Sequence, residues 1–110
     1  MNDTNLPERL LRFSADVKHM LRSLTVSGDL NIICNQLIKS STLTATSYGS
    51  ESANVYEIAT SLKEMRESNY LLRILSTKYK GNSEIELLIK ESNELKDILI
   101  SINIRVSMEN

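Results

Sequence analysis

Few side chains in this sequence could do acid, base or metal chemistry. The 110 residues contain one histidine, His19, and one cysteine, Cys34. His19 stands among basic neighbours next to an apolar helix position, which favours a surface residue over a general base. Cys34 follows Ile33 on an apolar face, so we interpret it as a small buried hydrophobe and not as a nucleophile. A classical zinc site needs more Cys and His ligands than one chain supplies here.

Carboxylates offer the other route to a metal centre. Glu64 with Glu67, and Glu91 with Glu94, have the i, i+3 spacing found in di-iron helical bundles. Those sites also require Glu-x-x-His motifs, and the sequence has none. It has no glycine-rich phosphate loop and no Gly-x-Ser-x-Gly elbow. We therefore predict a protein that is not an enzyme, with no cofactor, no metal and no small-molecule substrate.

Basic side chains could instead contact nucleic acid. The chain carries 13 Lys and Arg against 14 Asp and Glu, a net charge of −1, which argues against a dedicated nucleic-acid or membrane-surface binder. Clustering could still produce a local patch. Tyr70 lies near Arg66 and Arg73, as stacking on bases would require, but this pattern is not specific, and we interpret Tyr70 as a bundle-edge residue with its hydroxyl in water. The candidate contacts are Arg9, Arg12, Lys18, Arg22, Lys39, Arg66 and Arg73.

The length and composition predict one domain, residues 1–110, with an aliphatic core. A single cysteine cannot form an internal disulfide, and the first residues do not resemble a secretory signal. No apolar run approaches the roughly 20 residues that span a bilayer. We expect a cytoplasmic protein without a membrane partner.

Apolar residues at alternating spacings of three and four predict that helices must position these side chains. Pro7 suits a first turn, and Gly49 and Gly81 suit helix ends. We expect Ser50 or Ser52 to cap the third helix, and Ser83 to cap the fourth. The predicted fold is all-α, an antiparallel up-down four-helix bundle with helices at 7–25, 29–48, 52–79 and 83–107.

Two segments allow a second interpretation. The stretch "KSSTLTATSYGSES", residues 39–52, has the composition of a linker, but the seam continues near Ser41, Thr44 or Ala45, and Tyr48. We therefore predict a helix with a slim face of small side chains that ends at Gly49. Residues 98–106, "ILISINIRV", alternate like a strand. We predict helix there, because the heptad phase is unbroken from Ile85 and a lone strand would have no partner.

The last helix carries more apolar side chains than one core requires. Ile98, Ile100 and Ile104 lie off the main seam. A helix that is apolar on two faces is usually buried on two faces. These three residues are therefore the predicted oligomer interface.

Two segments of the sequence resemble a known family. They are "NQLIKSST", around Gln36 and Lys39, and "LKEMRESNYLLRIL", around Lys63, Arg66 and Tyr70. Together with "RLLRFSADVKHMLRSL" they resemble the bacterial four-helix-bundle proteins called 23S rRNA intervening-sequence proteins. The resemblance implies an antiparallel bundle that assembles as a ring, typically a pentamer, with no enzymatic activity. It also implies a link to RNA, because some members are encoded within ribosomal RNA genes and distant relatives bind nucleic acid.

The chain departs from the family pattern between the second and third helices. After "KSST" the family usually continues with a small-residue turn of helix such as Gly-Ala-Asn, whereas this chain reads "LTATSYGSES". The connection that follows is also several residues shorter. We predict a self-assembling helical scaffold or interaction module. The alternative is an RNA- or DNA-binding accessory protein whose weak basic patch is multiplied by assembly.

Overall fold

Four helices make up the fold. The computed structural model describes residues 5–50 and 52–109. The helices are α1 (Leu6–Arg22), α2 (Asn31–Tyr48), α3 (Val55–Lys78) and α4 (Ser83–Glu109), with a short 3₁₀ turn at Gly28–Leu30 before α2. Within the described ranges there is no strand, and no helix has both the length and the apolar character needed to cross a bilayer. The predicted all-α class is confirmed.

Hydrogen bonds between α2 and α3 show that neighbouring helices are antiparallel. The Ser40 and Ser68 hydroxyls are 2.7 Å apart, and the Ser61 hydroxyl donates to the Thr44 carbonyl oxygen at 2.7 Å. Residue numbers therefore rise along α2 where they fall along α3. Short connections between the four helices favour the same arrangement throughout, which is the predicted up-down bundle.

One apolar cluster, with side chains from every helix, forms the core. Phe13, Met65 and Leu95 are among its fully buried members. Most of the others are leucine and isoleucine, and burying each side chain of this size stabilises the fold by about 1.5 to 3 kcal/mol. This aliphatic core is what holds the helix surfaces in place.

The slim face of α2 is also confirmed. α2 continues to Tyr48, and Ser40, Ser41 and Thr44 on its inner side are buried. Gly49 follows with φ +69°, and its N–H donates to the Ala45 carbonyl oxygen at 3.0 Å. Glycine adopts this left-handed conformation without the steric cost that a Cβ brings.

Some helix ends differ from the prediction. α1 ends at Arg22 and not at the predicted residue 25, because the Ser23 hydroxyl donates back to the Met20 carbonyl oxygen at 2.6 Å. This bond gives a donor to one of the last carbonyl groups of the helix. α2 begins at Asn31 because residues 28–30 form the 3₁₀ turn.

The caps of α3 and α4 are both asparagines, so the predicted serine caps are wrong. The Asn54 side chain accepts from the Glu57 N–H at 2.9 Å, and the Glu57 side chain accepts from the Asn54 N–H at 2.8 Å. α3 therefore begins at Val55, three residues after the predicted start at residue 52. The Asn82 side chain accepts from the Ile85 N–H at 3.0 Å and caps α4 in place of Ser83. Asparagine and serine are similarly good caps, so the sequence pattern alone could not choose between them.

The segment with strand-like alternation, residues 98–106, is helical. α4 runs without a break for 27 residues, about 40 Å at 1.5 Å per residue. Its heptad phase therefore outweighs the β-branched composition of its second half.

Candidate interaction surfaces

The candidate cation Arg9 is partly buried between α1 and α4. Its Nε and Nη2 donate to the two carboxylate oxygens of Glu91 at 3.3 and 2.9 Å, and Nη2 also donates to Glu94 at 3.3 Å. The bonds to Glu91 raise the pKa of Arg9, against the opposing effect of burial. A forked pair of this kind fixes orientation as well as charge. Arg9 therefore joins α1 to α4.

The other three candidate cations of α1 also have neighbours within the chain. Arg12 lies 3.9 Å from the Glu8 carboxylate. Lys18 donates to the Ser14 hydroxyl at 3.4 Å, and Arg22 donates to the Lys18 carbonyl oxygen at 3.5 Å. Six positions of helix separate Lys18 from Arg12, so the two lie on different sides of α1. The basic residues of α1 do not form one patch.

The candidate cations of α2 and α3 are free of such contacts. Lys39, Arg66 and Arg73 are exposed, and so is Lys63, which was not among the predicted contacts. None of the four makes a hydrogen bond or ion pair within the described part of the chain. Three of them share one face of α3 with Tyr70, which is 55% exposed. We call Lys63, Arg66, Tyr70 and Arg73 the α3 crest. Their spacing of three, four and three residues places them in one row along the helix.

The two segments that carry the family resemblance meet between α2 and α3. A groove of about 320 Å³ is lined by Gln36, Lys39, Ser40, Lys63, Glu64 and Glu67. The hydrogen-bonded Ser40 and Ser68 hydroxyls lie in the same seam. The two segments are far apart in the sequence, since 24 positions separate Lys39 from Lys63. Only the antiparallel pairing of α2 and α3 brings them together.

A larger groove runs between α1 and α4. We call it the α1/α4 groove; its volume is about 750 Å³. Four carboxylates and two guanidinium groups line it, together with Leu87, which is 66% exposed. The charged lining residues are Glu8, Arg9, Arg12, Asp16, Glu91 and Glu94. The groove therefore has a net negative charge. Arg9 is already paired with two of its carboxylates, those of Glu91 and Glu94.

The predicted interface isoleucines divide between the two sides of α4. Ile98 and Ile100 are half-buried against the core, and Ile104 is 54% exposed. Ile100 and Ile104 are four residues apart, so they lie on one face of α4. This is the face on the side of α3. Ile98 continues the row of Leu87 and Glu94 on the α1 side, at helical spacing. The sequence did not show this division, because it depends on where α1 and α3 pack.

His19 and Cys34 do not form a shared site, because one is exposed on α1 and the other is buried on α2. Cys34 is buried, as predicted, and desolvation raises the pKa of its thiol. His19 is exposed on α1. Among the described residues, no group of three His, Cys, Asp or Glu side chains could hold a metal ion.

Comparison with known proteins gives a fold and no activity. No protein-family model matches the sequence, and no curated protein matches it. The structure is similar to the crystal structure of a protein of unknown function from the S23 ribosomal protein family of Bacteroides thetaiotaomicron, with a TM-score of 0.76 and 22% sequence identity. The similarity covers 89% of this chain and 97% of that one. At this identity the likeness shows that the two chains share a four-helix fold.

Proposed function

We propose that this chain is a non-enzymatic helical-bundle protein that assembles with copies of itself into a ring and acts as a scaffold or interaction module. The observation that carries the proposal is the apolar surface of α4. α4 has isoleucines on two flanks, and near its end Ile104 is 54% exposed and Met108 is 80% exposed. Exposed apolar groups grouped on one helix are typical of a surface that a partner covers.

The length of α4 supports this proposal. α4 has 27 residues and α1 has 17, so α4 is about 15 Å longer. Arg9 lies opposite Glu91 and Glu94 on the antiparallel α4, and α1 begins at Leu6. The part of α4 after residue 98 therefore extends past the start of α1.

The family resemblance supports a ring as the form of assembly. The sequence segments around Lys39 and Lys63 resemble the 23S rRNA intervening-sequence proteins, in which a pentamer is typical. The structural neighbour is described as a member of the S23 ribosomal protein family, which is in keeping with that resemblance. We propose that the chain is a divergent relative of these proteins.

Light scattering coupled to size-exclusion chromatography tests the assembly. The protomer has a mass of 12.5 kDa, and we expect a mass of three or more protomers at micromolar concentration, because a ring needs at least three copies. Ile104→Glu should lower the measured mass, because it adds a charge to the exposed flank of α4. Leu11→Glu, at an exposed apolar residue of α1, is the matched control and should leave the mass unchanged. A monomeric wild-type protein would contradict the proposal.

A second function, binding of nucleic acid, is favoured by the free cations of the α3 crest. Lys63, Arg66 and Arg73 flank Tyr70, and phosphate contacts beside a stacking surface are common to proteins that bind single strands. A ring whose contacts lie elsewhere on the chain would repeat this weak surface and raise its avidity. Fluorescence anisotropy with single-stranded RNA at two salt concentrations tests it. Binding that weakens steeply with salt supports this function, and no binding at low salt excludes it.

A further inference from the structure

We propose that the ring forms by a head-to-tail contact in which the α3 crest of one copy docks into the α1/α4 groove of the next copy. This inference rests on the proposed self-assembly and names the two surfaces that make it. The two surfaces are different parts of the same chain, so the contact is heterologous. Heterologous contacts produce rings when the rotation between copies closes.

Charge complementarity is the first reason for this pairing. The crest presents Lys63, Arg66 and Arg73, which have no partner within the described part of the chain. The α1/α4 groove has two more carboxylates than guanidinium groups. One of those carboxylates, Asp16, is exposed and makes no ion pair with any cation in the described part of the chain. Complementary charges of this kind set the orientation and partner choice of an interface.

Exposed apolar groups at both surfaces supply the second reason. Tyr70 in the crest is 55% exposed, and Leu87 at the groove is 66% exposed. Tyrosine is enriched among residues that dominate binding energy, especially where it enters a pocket. The flanking isoleucines divide in the same way, with Ile100 and Ile104 on the crest side of α4 and Ile98 on the groove side. Each surface therefore combines charge with an apolar anchor.

The position of α4 supplies the third reason. Asn103 of α4 lines the pocket next to Lys63 and Arg66, while Leu87 and Glu91 of α4 line the α1/α4 groove. α4 thus borders both surfaces, which places them on adjacent sides of the bundle. Head-to-tail contacts through adjacent sides rotate each copy relative to the one before it. A closed ring requires such a rotation.

Two double variants break one surface each and leave the protomer core intact. Arg66→Glu with Arg73→Glu reverses the charge of the crest. Asp16→Lys with Leu87→Lys places positive charges in the groove. All four side chains are exposed and have no ion pair within 4 Å in the described part of the chain. We expect each double variant to elute with the 12.5 kDa mass of the protomer while its circular dichroism spectrum stays helical.

Lys78→Glu with Lys80→Glu is the matched control for the crest variant. It makes the same change of charge at exposed positions beyond the crest. We expect this control to keep the mass of the wild-type assembly. If the control dissociates as the crest variant does, net charge and not the crest governs assembly, and the pairing is wrong.

Mixing the two broken variants gives the sharpest test. The crest variant keeps an intact groove, and the groove variant keeps an intact crest. A heterologous contact predicts that an equimolar mixture forms a one-to-one dimer of about twice the protomer mass and nothing larger. A mixture that stays monomeric overturns the proposal.

The outcomes separate this inference from the proposed function. A monomeric wild type removes self-assembly itself. A wild-type assembly that survives Arg66→Glu with Arg73→Glu leaves self-assembly standing and removes the crest from the interface. If that variant also loses RNA binding, the crest is a nucleic-acid surface and the docking proposal is overturned.

Discussion

The seam between α2 and α3 and the seam between α1 and α4 are built from different chemistry. At the α2/α3 seam Ser40, Ser61 and Ser68 are buried, and each hydroxyl has a hydrogen-bond partner. At the α1/α4 seam Arg9 reaches across to Glu91 and Glu94 beside an open groove. Small side chains let two helices pack closely, whereas long charged ones hold them together and leave space. The first seam therefore gives stability, and the second remains accessible to a partner.

Overpacking the closed seam should have the largest effect. Ser68→Leu replaces one hydroxyl oxygen with three carbon atoms at a fully buried position, where that oxygen lies 2.7 Å from the Ser40 hydroxyl. We expect the free energy of unfolding to fall by about 2 to 3 kcal/mol, because the helices must separate. Urea denaturation at fixed protein concentration measures this. Ser101→Leu, at an exposed position of α4, is the control and should change stability by less than about 0.5 kcal/mol.

If Ser68→Leu and Ser101→Leu unfolded at the same urea concentration, the result would contradict the close packing of α2 against α3. Removing the hydroxyl without adding volume, as in Ser68→Ala, separates packing from hydrogen bonding. It should cost only about 1 kcal/mol, because Ser40 keeps its bond to the Leu37 carbonyl oxygen.

The turn that leads into the closed seam should tolerate less change than an ordinary loop. Gly49→Ala places a Cβ on a residue with φ +69°, although no atom blocks the space closer than 3.7 Å. We expect a loss of about 1 to 2 kcal/mol from backbone strain alone. Gly28→Ala, where φ is not in the left-handed range and nothing lies within 4 Å, is the matched control and should not destabilise the protein. Thermal unfolding of both variants tests the difference.

Much of the closed seam could be predicted from the sequence, and little of the open one. The three-and-four spacing near Ser41, Thr44 or Ala45, and Tyr48 predicted the slim face, because helical period depends only on local sequence. The split of the candidate cations into engaged Arg9 and free Arg66 depends on which helices become neighbours. That is a property of the tertiary arrangement. The same reason explains why the predicted isoleucine interface divides between two sides of α4.

The helix ends fall between these two cases. Asparagine and serine stand within a few residues of each other before α3 and α4, and both residue types are good caps. Asn54 and Asn82 are the caps because their side chains meet the N–H groups of Glu57 and Ile85. A capping pattern therefore predicts that a helix starts nearby, and the geometry of the turn selects the residue.

Breaking the open seam should have a smaller effect than overpacking the closed one. Arg9→Met keeps most of the side-chain volume and removes the bonds to Glu91 and Glu94. We expect a loss of about 1 kcal/mol, reduced by solvent screening because Glu94 is largely exposed. The difference between wild type and variant should shrink in high salt. A loss that is independent of salt would mean that Arg9 acts through packing instead.

The smallest effect on protomer stability is expected at the α3 crest, where the cations are free. Arg66→Ala removes an exposed side chain that has no ion pair in the described part of the chain, so the free energy of unfolding of the protomer should change by less than about 0.5 kcal/mol. The comparison with Arg9→Met is made in a monomeric background, Asp16→Lys with Leu87→Lys, so that assembly does not add to stability. Outside that background Arg66→Ala should weaken assembly, since a residue that makes no ion pair in the described part of its own chain is available to bind the next copy. Equal losses of protomer stability for Arg66→Ala and Arg9→Met would show that the crest supports the fold, and the division between engaged and free cations would fail.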